Sequence, residues 1–160
     1  MNFHEALIGE LKKIKNQCDK SIAQLSDQEL HWQPDPESNS IAILMKHMAG
    51  NMLSRWTDFL TTDGEKPTRN RDGEFVDDFT TRADLEAFWN RGWEKALGTM
   101  ESLTPEELTK TVYIRGEAHS VPLALARQFW HYSQHSGQII YIAKHLRGPE
   151  WKTLSIPRKR

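Results

Sequence analysis

The sequence predicts an all-α protein: a four-helix bundle with a small hairpin before its last helix. Three observations predict it. Apolar residues recur every three or four positions along four long stretches, the period of one helix face. A residue able to cap a helix, Asn2, Ser40, Thr81 or Ser120, opens each stretch. Loops punctuated by proline and glycine separate them.

The first segment runs from Asn2 to Leu25, with Phe3, Leu7, Leu11, Ile14, Cys18, Ile22 and Leu25 on one face. Asn2 and Glu5 have capping-box spacing, and Lys12, Lys13, Lys15, Asn16 and Asp19 occupy the polar face. Ser26 and Glu29 repeat that spacing and start one short turn, which Pro34 and Pro36 end. The second segment runs from Ser40 to Leu60, with Ile41, Leu44, Met48, Met52, Trp56 and Phe59 as its stripe. His47 stands beside that stripe, near mid-helix, and Gly64 and Pro67 mark the stop. Residues Thr61 to Phe79 form the longest loop, which at that length is either mobile or functional. Its Arg69, Arg71 and neighbouring acids read most simply as solvated.

The third segment runs from Thr81 to Leu103, with Leu85, Phe88, Trp89, Gly92, Ala96 and Met100 on one face. Thr104, Pro105 and two acids predict a short helix to Thr109. Thr111 to Ile114 has strand propensity, and Arg115, Gly116 and Glu117 can turn it back on itself. The fourth segment runs from Ser120, with Pro122 in its first turn, to Leu146, closed by Gly148 and Pro149. The basic tail that ends in Arg158, Lys159 and Arg160 reads as solvated. Helices of this length span roughly 30 to 40 Å each. The pattern by itself leaves the bundle's connection order open.

Residues 1–160 suit one domain. The 21 basic and 22 acidic side chains leave a net charge of -1, which argues against a nucleic-acid partner. The single cysteine, Cys18, excludes a disulfide framework and a thiolate zinc cluster, is compatible with a reducing cytosol, and reads as a small core residue. The longest apolar run, Ile41 to Met45, is too short to span a bilayer, and the first residues lack a signal peptide's pattern. The expectation is a cytoplasmic protein with no membrane partner.

The sharpest chemical feature is His131-Tyr-Ser-Gln-His135. Histidines four apart project from one helix face and can converge on one metal ion. If the second and fourth segments are neighbours, His47 meets them at the same depth. Three imidazoles leave positions open for water or substrate, the catalytic rather than the structural pattern. The competing reading is a bundle whose interior histidines are satisfied by groups such as Glu94 or Gln138, with no metal. His4, His31, His119 and His145 read as surface residues. Trp56, Trp89, Trp93 and Trp130 read as core or subunit-interface residues, and Trp32 and Trp151 as loop residues at a pocket mouth or interface. No phosphate-binding or nucleophile-elbow motif occurs.

Ile43 to Asn51, with His47 at its centre, is similar to the first ligand motif of the DinB/YfiT-like superfamily. Trp130-His-Tyr-Ser-Gln-His-Ser-Gly-Gln-Ile139 resembles that superfamily's H-x-x-x-H-x-G-Q-I signature. The order of elements also matches over essentially the whole chain, nearest to a branch of small proteins of unknown function. The resemblance implies an up-down-down-up bundle with a divalent metal held by His47, His131 and His135. Zinc or nickel is the implied metal, with iron also suited. Gln138 would support a ligand or pack the helix. The resemblance further implies a homodimer, and in some members thiol-dependent transferase or isomerase activity with low-molecular-weight thiols such as bacillithiol or mycothiol.

The functional expectation is therefore a metal-dependent enzyme, of thiol-dependent transferase or hydrolase type, acting on a small molecule. Substrate would enter near residues 61–79 or 111–119, and Glu94 or Glu117 would serve as base if either reaches the site. The alternative is a non-catalytic stress-response or binding module whose histidines are structural.

Overall fold

Each long helix begins where its capping residue stands. In the computed structural model, which describes residues 2–157, Asn2 Oδ1 accepts from the Glu5 amide at 2.9 Å and Glu5 returns the bond to the Asn2 amide. That box opens α1 (Phe3–Ile22), and Ser26 with Glu29 opens the single turn α2 (Asp27–Leu30) in the same way. Ser40, Thr81 and Ser120 cap α3 (Ile41–Trp56), α4 (Arg82–Ser102) and α5 (Val121–Arg147) through their hydroxyls. Between α4 and α5, β1 (Thr111–Ile114) pairs antiparallel with β2 (Glu117–Ser120), Ile114 opposite Glu117. The turn between them places Arg115 and Gly116 at φ 56° and 75°, the left-handed pair that a two-residue hairpin requires. The basic tail, Arg158 to Arg160, lies outside the described residues.

Two helix ends differ from expectation, and α1 closes at Ile22 rather than Leu25. Helix α3 stops at Trp56 rather than near Leu60, because Thr57 is extended and Asp58 takes φ 47°. The Asp58 carbonyl then accepts from the amides of Thr61 and Thr62, while Phe59 still reaches the core.

The helix directions follow from pairs of contacts. Gly92 lies against Ala49, and seven residues further along each helix Thr99 Oγ1 donates to the Trp56 carbonyl, so α3 and α4 are parallel. Lys15 meets Asn90, Asp19 meets Trp89, and the Ile22 carbonyl meets Arg82, so α1 and α4 are antiparallel. Helix α5 runs beside α1 in the same direction: Cys18 meets Ser136 mid-helix, and Glu29 beyond the end of α1 meets Arg147 at the end of α5. The topology is therefore up-down-down-up. The parallel α3–α4 pair requires a long crossover, which the 57–81 segment supplies.

The core fills the space among the four long helices with Trp56, Trp89, Trp93, Tyr132 and a methionine-rich face of α3. Cys18 is fully buried there, and burial pushes its thiol up to about 11, so it packs as an inert apolar group. Among the described residues no helix is long and apolar enough to cross a membrane.

Candidate metal centre

Helices α3 and α5 are held in register by one buried hydrogen-bond chain. Trp56 Nε1 donates to the Tyr132 hydroxyl at 2.9 Å, and that hydroxyl donates to Asn51 Oδ1 at 3.3 Å. With Tyr132 fixed inside the core, His131 and His135 on either side of it turn toward α3. His47, one turn before Asn51, meets them there. The ring nitrogens of the three histidines lie within 4.8 Å of one another.

The contacts are between Nε2 atoms: His47 to His131 at 3.2 Å, and His135 to His131 at 3.1 Å. Two nitrogens bound to one ion at ~2.0–2.1 Å stand about 2.9 Å apart at a right angle and about 3.3 Å apart at the tetrahedral angle. The observed spacings fall between these limits.

The outer nitrogens settle which lone pairs point inward. His47 Nδ1 lies 2.9 Å from Glu74 Oε2, and an ionised carboxylate can only accept, so Nδ1 carries the proton and Nε2 keeps its lone pair. His135 Nδ1 donates to Gln138 Oε1 at 2.7 Å, with the same result. His131 Nδ1 is buried with no hydrogen-bond partner among the described residues. If His131 carries its proton there, three lone pairs converge. If the proton sits on Nε2, it serves two lone pairs at once and leaves Nδ1 orphaned. A cation among the three Nε2 atoms would accept all three lone pairs, so the donor set fits a divalent transition metal.

Electrostatics keep His131 and His135 neutral. Burial, reinforced by His135, His47, Arg69 and Arg55, pulls His131 down to about 3. Burial also lowers His135, against the hydrogen bond to Gln138 that raises it. A neutral imidazole is the metal-binding form. There is a stability consequence for metal-free protein. Unfolded chains take up a proton on this histidine near 6.5 and folded ones only near 3, so folding stability falls as pH drops through that window. Denaturant midpoints of chelator-treated protein are expected to fall on acidification over that range. The fall should be shallower in His131→Leu; equal slopes in the two proteins would refute the assignment.

The long loop between α3 and α4 carries a group that sequence reasoning missed. Glu74, in the 3-10 turn Asp72–Phe75, is buried against α3. Both of its oxygens are engaged: Oε1 accepts from Arg69 Nε, and Oε2 accepts from Arg69 Nη2 and from His47 Nδ1. Burial by itself would raise the Glu74 carboxyl, but its bonds to His47 and Arg69 hold it below the usual carboxylate range. Gly50 makes the approach feasible, since a Cβ there would come within 2.7 Å of the Glu74 carboxyl carbon. Lys46 pins the loop by donating to the carbonyls of Gly73 and Val76 and to Asp78. Phe75 packs on the His47 ring, with centroids 4.7 Å apart.

Several expectations need correction. Arg69 is not solvated: its side chain is only 4% exposed, because Glu74 and Glu65 compensate its charge inside the loop. Arg71 does remain half exposed. Glu94 and Glu117 are both exposed and do not line the cavity beside the histidines. The carboxylate that meets His47 is Glu74. His119 is buried rather than superficial, donating from Nδ1 to the Glu117 carbonyl and packing Nε2 on Arg127. His4 is half-buried and His31 pairs with Asp77, whereas His145 is exposed as expected and stacks on Trp32. Trp130 is 66% exposed at the rim of the cavity, whereas Trp56, Trp89 and Trp93 are core. Gln138 pairs with His135, a contact that fits both the supporting role the resemblance implied and the metal-free reading in which it satisfies that histidine. The only sequence signal for Glu74 was the length of its loop.

Among solved structures the chain is similar to a DinB-like protein, YjoA, from Bacillus subtilis. The match has a TM-score of 0.61 and 17% sequence identity, and covers 92% of this chain and 96% of that one. At that identity the likeness shows the fold, which is DinB-like. No curated protein matches the chain. A family model described as a protein of unknown function, DUF1572, matches residues 1–160.

Proposed function

We propose that this chain, which belongs to the DUF1572 family of proteins of unknown function, is a metalloenzyme whose divalent ion is held by His47, His131 and His135. One observation carries the reading: three Nε2 atoms converge at 3.1 and 3.2 Å while the outer nitrogens of His47 and His135 are committed to Glu74 and Gln138. Ions compatible with three imidazoles include zinc, nickel and iron. Such an ion supplies Lewis-acid chemistry, lowering the pKa of a water or thiol at its open positions.

The protein's own groups do the rest. Glu74 and Gln138 fix the tautomers and ring planes of two ligands. Because both Glu74 oxygens are occupied, it is a positioning residue and not a base. Among the described residues no carboxylate lines the adjoining cavity, so a nucleophile at the site would depend on the ion's acidifying effect, with its proton passing to solvent. His47 is buried, while His131 and His135 are half-buried. The reaction class this suits is a transferase or hydrolase on a small molecule, with a low-molecular-weight thiol as a candidate co-substrate.

The test is metal content by mass spectrometry on tag-free protein, beside His47→Ala/His131→Ala/His135→Ala. About one equivalent in the natural sequence and none in the folded triple variant is the expected result. No metal in the natural sequence, even after incubation with zinc or nickel, would sink the reading and leave a non-catalytic module.

The same reading includes a homodimer. Leu123, Trp130 and Tyr141 are 50%, 66% and 74% exposed on α5. At ~100° per residue their spacings of seven and eleven place all three on one stripe of that helix. An apolar stripe left bare is a candidate interface. Sedimentation is expected to show a dimer that Leu123→Glu/Tyr141→Glu converts to monomer; a monomer in the natural sequence rejects it.

A further inference from the structure

Beside the three histidines lies a cavity of about 220 Å³. That is below the ~300–1,000 Å³ of sites for drug-sized ligands, so it suits a small molecule or one group of a larger one. Five arginines line it, Arg55, Arg69, Arg71, Arg115 and Arg127, with His47 and His131 at its inner end. Among the described residues none of the lining groups is acidic. In a chain of net charge -1, this gathering of positive charge is local and specific.

The nearby carboxylates do not use up that charge. Glu74 is committed to Arg69 and His47. Glu65 is shared among Arg69 at 3.0 Å, Arg115 at 3.5 Å and Arg55 at 3.8 Å. Asp63 accepts from the backbone amides of Arg115 and Gly116. Asp72, beside Arg71, is 99% exposed.

Arg55 is the decisive residue. It is only 4% exposed, yet its Nε and Nη1 have no hydrogen-bond partner among the described residues. Free N–H groups on a buried guanidinium are costly, whereas a charge-assisted bond from one of them to an oxyanion satisfies it. Its place is built: Gly64 makes room for it, since a Cβ there would lie 2.6 Å from Nη1. Gln128, 5% exposed on the same cavity wall, has a buried and unpartnered Oε1 that can accept from a ligand hydroxyl or amide. Arg127, one residue earlier on α5, sits at the exposed side of the same wall.

We propose that this arginine-lined cavity binds the anionic group of the substrate, a carboxylate or phosphate, through Arg55 and Arg127 and so presents the rest of the molecule to the three histidines. The proposal deepens the metalloenzyme reading and rests on it for the identity of the ligand as substrate. The anion site itself stands on the arginines alone.

The experiment titrates metal-free full-length protein with inorganic phosphate, and separately with acetate, at constant ionic strength. The readout is the NMR cross-peaks of the arginine Nε–H groups. Saturable shifts at Arg55 and Arg127 with either anion, at a Kd of about 1 mM or tighter, are expected. The tighter of the two anions names the substrate's group. Arg127→Gln should weaken binding at least about fivefold, the loss of one charge-assisted hydrogen bond. Arg55→Lys keeps the charge but loses the guanidinium's fixed N–H directions and should weaken it similarly. Because Arg127 is exposed, Arg127→Gln tests the site even if a change at buried Arg55 impairs folding. No saturable shift with either anion, or binding unchanged in Arg127→Gln, overturns the proposal. The titration is repeated on His47→Ala/His131→Ala/His135→Ala. Retained anion binding there supports the arginine site whatever the metal analysis shows, so the two ideas fail separately.

Discussion

Glu74→Gln is expected to weaken metal binding by about 10- to 100-fold, the usual effect of removing the group that orients a histidine ligand. The amide is nearly isosteric but neutral. It can no longer accept from Arg69 Nε, Arg69 Nη2 and His47 Nδ1 together, as the carboxylate does. The His47 ring then loses its fixed tautomer. Arg69, buried to 4% side-chain exposure, keeps only Glu65 at 3.0 Å. Breaking a buried pair by removing one partner costs about 3–5 kcal/mol. The remaining bond to Glu65 places this case at the lower end. Chelator competition measures the affinity and urea unfolding the stability. A double variant, Arg69→Met/Glu74→Gln, separates the two effects: it should recover stability, because no uncompensated charge remains, without recovering metal affinity. A folded Glu74→Gln protein with unchanged affinity would show that the carboxylate serves the loop alone. Gly50→Ala gives an independent check. Its Cβ would push the Glu74 carboxyl off α3 without altering any charge, so it should weaken metal binding in the same direction.

Gly92→Ala is expected to destabilise the bundle, although alanine is the better helix former by about 1 kcal/mol. A Cβ at Gly92 would come 2.7 Å from Ala49 Cα and 3.2 Å from the Ala49 carbonyl oxygen. These are backbone atoms of α3, which cannot turn aside as a side chain can. Overpacking of this kind costs about 1–3 kcal/mol, and a contact this close belongs at the upper end. A net loss of ~1–2 kcal/mol follows once the gain in helix propensity is subtracted. Gly98, on the same helix, has nothing within 4 Å of an added Cβ, so Gly98→Ala should stabilise by about 0.5–1 kcal/mol. Thermal and urea midpoints of the two variants should therefore move in opposite directions. If Gly92→Ala were as stable as Gly98→Ala, the parallel packing of α3 on α4 would be wrong. Because Ala49 is two residues from His47, spreading these helices should also loosen the histidine cluster.

The helices themselves were legible because their signals are local. Asn2, Ser40, Thr81 and Ser120 cap α1, α3, α4 and α5 as their positions promised, and the hairpin turns at Arg115 and Gly116. The end of α3 was not, because the positive φ of Asp58 carries no composition signal of its own. His131 and His135 were legible as a pair, since helix geometry alone places residues four apart on one face. His47 was legible as a partner only on the condition that α3 and α5 meet.

The sequence by itself determined the number of long helices, their polar and apolar faces, the inert core position of Cys18 and the three histidines that could share an ion. The tertiary structure shows α3 and α4 running parallel, which the family resemblance implied but the chain's own pattern left open. It also folded the loop between them back so that Arg69 and Glu74 enter the interior, and left Nε and Nη1 of buried Arg55 without hydrogen bonds beside the histidines. The physical reason is range. Caps and periodicity act within a few residues of the chain, whereas a charge is solvated or buried according to what the fold brings against it from far along the sequence. Glu74 lies 27 residues from His47, and nothing short of the packed loop makes them neighbours.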